Sequence, residues 1–305
     1  MVMPRRWQDI LLTLGGAMLA AFGVVGAGEA ANCGDTAGPF RSRIPCACFD
    51  TVVTHTRLRA TDPVVTSICG GFEFEAALVI GADTVTLDCE GHKIRGGEDE
   101  FDLGLRGILA ERDRVNVRNC PIEFFIDGIV LVGDGTRVVS SSTFGTFGGI
   151  TIVGARNTIS DNRTSSCQDR GVWAFGSRNN VWNNEATDCF VGIVVEGDKN
   201  AITRNSVHEN FGPGLAVLGA QNQLIRNTAS RNGEVGQIGE DDGILVVGTG
   251  NRLVSNASKD NAGKGFCVVE GNINGGVNLA QGNGVEPQVD FHCDEVSALS
   301  AAGLR

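Results

Sequence analysis

The chain has 305 residues, 42 % of them hydrophobic, and a net charge of -11, so it can bury a large core but presents an acidic surface. That balance excludes nucleic acid as a natural partner, because phosphate neutralisation needs clustered Lys and Arg. It also counts against polyanionic ligands such as pectin or alginate unless calcium or local basic residues intervene.

Residues 1–30 read as a secretory signal peptide: Arg5 and Arg6 precede an apolar run from Ile10 to Ala27, and small residues follow at Gly28 and Ala30. Gly15, Gly16, Gly23 and Gly26 dilute the run, which favours cleavage near Ala30 over a retained anchor. The Arg pair lacks the rest of a twin-arginine motif, so ordinary secretion is expected. Two Arg, one Asp and one Glu cancel in this segment, leaving the whole net charge to the mature chain. No later stretch is apolar enough to span a bilayer, so the expectation is an exported protein, periplasmic or extracellular, with no membrane partner after cleavage.

All ten cysteines follow the signal segment, and an even number in an oxidising compartment predicts disulfides. Residues 31–81 read as an N-terminal cap with the first strands, stapled by Cys33, Cys46, Cys48 and Cys69. Val85 to Ile94 (VTLDCEGHKI) is the first clear repeat unit.

From there to residue 270 the chain repeats. Gly107, Gly128, Gly149, Gly171, Gly192, Gly214, Gly243 and Gly265 form one series with spacings of 21, 21, 22, 21, 22, 29 and 22. A fixed period in this range marks a solenoid whose units bury their faces only against one another. Ile and Val at alternating positions suit strands better than a leucine framework would. One and three residues after the glycine stand Ile129 and Leu131, Ile150 and Ile152, Val172 and Ala174, Ile193 and Val195, Leu215 and Val217, Ile244 and Val246. Period two points them inward.

Ten residues after the glycine, Val117, Val138, Ile159, Val181, Ile202, Leu224 and Leu253 mark a second strand. Thirteen after it, Asn162, Asn184, Asn205, Asn227 and Asn256 form a polar ladder, and Asn210, Asn232 and Asn261 form another at eighteen. Asparagine tolerates left-handed dihedrals, and its amide can satisfy turn backbone groups. The fold expected is an all-β, single-stranded right-handed parallel β-helix of about nine or ten rungs of 21 to 22 residues. Residues 271–305 would form a C-terminal cap or tail.

The opening TLDCEGHKI and rungs such as GITIVGARNTISDN and GIVVEGDKNAITRN resemble the right-handed parallel β-helix repeat proteins of the pectin-lyase-like superfamily, including the NosD type. The resemblance covers roughly Val79 to Glu270 and implies the fold far more than any activity. Polygalacturonases of this group carry Asn-Thr-Asp, paired Asp, His-Gly and Arg-x-Lys elements. Only Asp241-Asp242 imitates one of them. Of the alginate epimerases' Asp-Pro-His-Glu only His208 and Glu209 have counterparts, and the Arg-x-Pro-x-x-Arg setting of calcium-dependent pectate lyases is missing.

Several residues remain as candidates. The long spacing before Gly243 inserts GEVGQIGEDD where a rung turns into its first strand, a place where insertions wall clefts. Asp241, Asp242 and Arg170 are the weak catalytic candidates, with Asp169 and Asp127 at matching turns of earlier rungs. Such carboxylates could share acid and base roles, hold calcium, or form a solvated acidic loop. Trp173 and Phe175 could stack on sugar rings, although the mature chain has no Tyr.

His208 with Glu209 projects from a turn far in sequence from His55, His92 and His292, and no metal site is expected; His92 reads as a turn element. Cys167 with Cys189 should bridge adjacent rungs, Cys89 with Cys120 could do so one residue out of register, and Cys267 could pin the tail through Cys293. The alternative for that last pair is thiol binding of copper, as the resemblance to a NosD-like copper-enzyme maturation factor would imply.

Outward positions carry Val130, Val132, Val153, Trp173, Phe175, Val194, Ala216, Leu218, Leu245 and Val247, an apolar stripe needing a cover. The C-terminal segment, a second subunit or a ligand along the groove could supply it. The leading functional expectation is a binding or structural module for polysaccharide or protein. A polysaccharide lyase, hydrolase or epimerase is the alternative, and it requires Asp241, Asp242 and Arg170 to converge beside Trp173.

Overall fold

A computed structural model describes residues 31–35, 43–70, 75–97, 105–233, 242–285 and 289–293. The signal segment 1–30, Asp241 and residues 294–305 lie outside the described residues.

Each rung has three short strands, as in Asp127–Val132, Arg137–Val139 and Ser142–Phe144. The second strands stack into a ten-stranded sheet, and the first and third strands form one larger sheet. Arg163–Phe175 and Glu185–Glu196 each run through both positions without a break. Pairing is parallel from rung to rung, and the inward residues stack in register: Ile129 on Ile150, Val172, Ile193, Leu215, Ile244 and Phe266 in turn. The ten stacked second strands span about 43 Å at the usual spacing of ~4.8 Å. Val117, Val138, Ile159, Val181, Ile202, Leu224 and Leu253 are all fully buried, so one apolar core runs the length of the rod.

The asparagine ladders are hydrogen-bonded chains. Asn162 donates its backbone N–H and its amide to Oδ1 of Asn184 at 3.1 and 3.0 Å, and the pattern continues through Asn205, Asn227 and Asn256. Asn210, Asn232 and Asn261 repeat it. The left-handed residue is not the ladder Asn, as expected, but the one before it: Asp161, Asn183, Arg204, Arg226 and Ser255 have φ of 55–58°. The division follows from chemistry, since the amide must point along the rod while the preceding residue takes the turn. A third ladder, Asn157, Asn179, Asn200, Asn222 and Asn251, lies eight residues after the glycine.

The ladder extends beyond the expected repeat region at both ends. Asp50–Val52 pairs in parallel with Ala76–Ile80, and Ile273–Asn274, Leu279–Gln281 and Val289–Cys293 each pair with the preceding rung. A short helix, Pro63–Thr66, interrupts the cap. Five disulfides join Cys33–Cys46, Cys48–Cys69, Cys89–Cys120, Cys167–Cys189 and Cys267–Cys293. No cysteine is free, which removes the thiol route to copper at Cys267 and Cys293.

Candidate functional site

The site begins with the residue that precedes the repeat glycine. Across successive rungs this column holds Arg106, Asp127, Gly148, Arg170, Val191, Pro213, Asp242 and Lys264. At the fourth of these rungs the chain carries one extra residue. Cys167 pairs with Cys189 and Arg170 with Val191, so Gln168 and Asp169 oppose Phe190 alone in a β-bulge. On the other side Asp169 donates its N–H to the carbonyl of Phe147, which sets Asp169 and Arg170 together opposite Gly148. Bulges re-aim side chains, and this one presents two charged groups where the neighbouring rungs present Gly148 and Val191.

Asp127 stands on the opposite side of Gly148. A Cβ built on Gly148 would come 2.5 Å from Oδ1 of Asp127, so the carboxylate lies over the glycine, facing the bulge. Burial pushes the Asp127 carboxyl up from its ordinary range, Arg106 opposes this, and the charge of Asp169 adds to the rise. Burial likewise pushes Asp169 up, against the pull of Arg170.

The two carboxyls are not equivalent. Arg170 Nη1 donates to Asp169 Oδ2 at 3.0 Å, whereas Arg106 Nε stands 3.6 Å from Asp127 Oδ2 and makes no hydrogen bond. The Arg170 guanidinium also lies 4.7 Å above the Trp173 ring, whose Nε1–H donates to Glu196 Oε1 at 2.8 Å. Arg106, Asp127, Asp169, Arg170, Trp173 and Glu196 therefore form one continuous polar surface over five rungs.

Aromatic rings border it. Trp173 and Phe175 meet edge to face at 6.4 Å, with Phe175 47 % exposed. Across the glycine column, Phe147, Phe190 and Phe211 are exposed as well. An exposed or half-buried ring thus stands on each of four successive rungs, with Asp169 in the register of Phe147 and Phe190.

Asp242 does not join this group. It shares the column with Arg170 but lies three rungs on, about 14 Å away at the usual strand spacing. Its carboxyl is buried, accepts the Lys264 N–H at 2.7 Å, and is pushed up to about 6 by burial, with Lys264 opposing and Asp290 adding to the rise. Lys264 Nζ in turn donates to Asp290 Oδ2 at 2.6 Å, tying the last strand to this rung beside the Cys267–Cys293 bridge. The convergence required of Asp242 and Arg170 beside Trp173 is absent, and Asp127 with Asp169 occupies that place instead.

The stripe of outward apolar residues divides in two. Val194, Ala216, Leu245 and Val247 are buried in a second cluster with Val191, Cys267 and Cys293, against which Trp173 packs, while Val132 and Phe175 stay exposed. The C-terminal cover expected for the stripe falls partly on 294–305, outside the described residues. His208 Nε2 lies 3.1 Å from Glu185 Oε1, and Glu209 pairs with Arg231 at 2.8 Å. Among the described residues no group of three or more His, Cys, Asp or Glu is arranged to hold a metal ion. A depression lined by Asp83, Glu111, Arg112 and Asp113 lies elsewhere, with the Asp83 and Asp113 carboxylates accepting backbone N–H groups of the next rung. Among the described residues no helix is long and apolar enough to cross a membrane.

Sequence reasoning missed Arg106, Gly148, Glu196, Phe147 and Phe190 as parts of the site. The usable signal was the 22-residue spacing from Gly149 to Gly171, which places an extra residue at Asp169.

Residues 106–257 match the family described as right handed beta helix region. Among solved structures, the DFA-IIIase of Arthrobacter chlorophenolicus A6 in complex with DFA-III is similar at a TM-score of 0.53 and 13 % identity, over 84 % of this chain and 66 % of that one. The Dettilon tailspike protein is similar at 0.51 and 15 %, over 75 % and 59 %. The tailspike of the E. coli bacteriophage HK620, in complex with a pentasaccharide, is similar at 0.50 and 9 %, over 82 % and 58 %. This chain therefore spans no more than about two thirds of these proteins, and at such identities the likeness is one of fold. No curated protein sequence matches the chain.

Proposed function

Because the chain is a right-handed parallel β-helix protein, a fold it shares with a carbohydrate-active enzyme and with tailspikes, we propose that it hydrolyses glycosidic bonds of a saccharide chain laid along its outer face. The observation that carries this reading is the pair of largely buried carboxyls, Asp127 and Asp169, set on either side of Gly148 and beside the Arg170–Trp173 stack. Perturbed carboxyls beside exposed rings are what glycosidic chemistry needs.

Roles follow from the asymmetry of the pair. In this reading Asp127, raised by burial and by the charge of Asp169 and with the weaker cationic partner, serves as the acid. Asp169, hydrogen-bonded to Arg170, serves as the base. Asp127 then gives its proton to the bridging oxygen as the carbon–oxygen bond breaks. Asp169 takes a proton from the water whose oxygen bonds to the anomeric carbon, and solvent exchange restores both groups. Five disulfides fit an oxidising compartment and support export.

Incubation of the oxidised mature chain with a panel of polysaccharides, following new reducing ends and unsaturated products, tests the proposal. Asp127→Asn and Asp169→Asn should each retain binding and lose turnover by about 10²-fold or more. Wild-type silence alongside measurable binding would refute hydrolysis. It would favour a second reading, a saccharide-binding module, which the prior pairing of both carboxyls with arginines supports.

A further inference from the structure

Resting on the saccharide reading, we infer that this site takes an uncharged polysaccharide and rejects polyuronates, through its charge arrangement and the rings of Phe175 and Phe190. With the proton of the acid held on Asp127, the carboxylates of Asp169 and Glu196 balance the guanidinium groups of Arg106 and Arg170 across the polar surface. Each guanidinium already faces a carboxylate, Arg106 at 3.6 Å from Asp127 and Arg170 at 3.0 Å from Asp169. The Glu196 carboxylate accepts from the indole of Trp173. A uronate group laid here would therefore find no excess of positive charge, on a chain whose overall charge is -11.

The rings supply what an uncharged ligand can use. Phe175 and Phe190 are 47 % and 43 % exposed, and neither belongs to the inner core or to the outer apolar cluster. They stand on adjacent rungs, on opposite sides of the column that carries Asp127 and Arg170. The apolar faces of neutral sugar rings can stack on them while hydroxyls reach the polar surface between.

The test is affinity of the full mature chain for neutral xylan, galactan and β-glucan, and for polygalacturonate and alginate, in chelator and at low salt. The expected result is that at least one neutral polymer binds about tenfold more tightly than either polyuronate. Added salt should narrow the gap. Phe175→Ala and Phe190→Ala should each weaken neutral binding by about three- to tenfold without changing the fold. Asp169→Asn, which frees Arg170, should raise polyuronate affinity relative to neutral affinity. Polyuronate binding as tight as neutral binding would overturn the inference while leaving the saccharide reading intact, and ring variants that bind like wild type would overturn it too. If no polymer binds, the saccharide reading itself falls and the inference with it.

Discussion

Gly148 and Asp127 are matched by space: any side chain on Gly148 would begin 2.5 Å from Oδ1 of Asp127. Gly148 has no left-handed φ, so its backbone does not require glycine. Its neighbours in the column are Arg, Asp, Val, Pro and Lys, so neither does the repeat. Gly148→Ala should therefore leave the rod folded, with a stability loss below about 2 kcal/mol because a side-chain end can move aside. Hydrolysis should fall at least about tenfold as the Asp127 carboxyl is displaced. Circular dichroism melting and the reducing-end assay on one preparation would separate the two effects.

Arg170 sets the ionisation of Asp169 through the hydrogen bond at 3.0 Å. The folded-state carboxyl is raised by burial and held back by the guanidinium, so Arg170→Met should raise it further. As Asp169 must be ionised to act as base, the acid limb of the pH–rate profile should move to higher pH. An unmoved limb would show that Asp169 is not the titrating base.

Asp242 gives a stability signature free of the activity. Its folded carboxyl, at about 6, titrates above the ordinary carboxylate value of about 3.9, so the folded state binds more protons between those limits. Stability is therefore lost as pH rises from roughly 4 to 6, by at most about 3 kcal/mol. Asp242→Asn, whose side-chain oxygen can still accept the Lys264 N–H, should remove that loss and be more stable than wild type at pH 7. Urea midpoints for the two proteins at pH 4 and pH 7 check the sign.

The repeat made most of the fold legible. Glycine spacing, inward Ile and Val, and the Asn162 to Asn256 ladder all stand where the period places them, because each rung must satisfy the same packing and turn demands as its neighbours. The Asn157 to Asn251 ladder was equally readable at its constant offset. What the period could not convey was departure from it. Asp169 acts through a one-residue bulge, and Gly148 acts through the absence of a side chain. Asp242 looked like a partner of Arg170 because both occupy the same column, but a column runs along the rod and three rungs separate them.

The ladder itself should be cooperative. Asn205 accepts the N–H and amide of Asn184 and donates to Val181 and Asn227, all at 2.9–3.0 Å in a buried setting. Asn205→Ala would orphan buried groups on two rungs and should cost about 2–4 kcal/mol. A loss under about 1 kcal/mol in the denaturant midpoint would show that water replaces the amide.

Hydrolysis at Asp127 and Asp169 is tested most directly by running the reaction in oxygen-18 water and weighing the products. Water attack at the anomeric carbon predicts one heavy oxygen in each new reducing end from the wild-type chain, and product from Asp127→Asn or Asp169→Asn only at a rate lower by about 10²-fold or more. Unsaturated ends without label, or labelled product from either variant at the wild-type rate, would contradict the account.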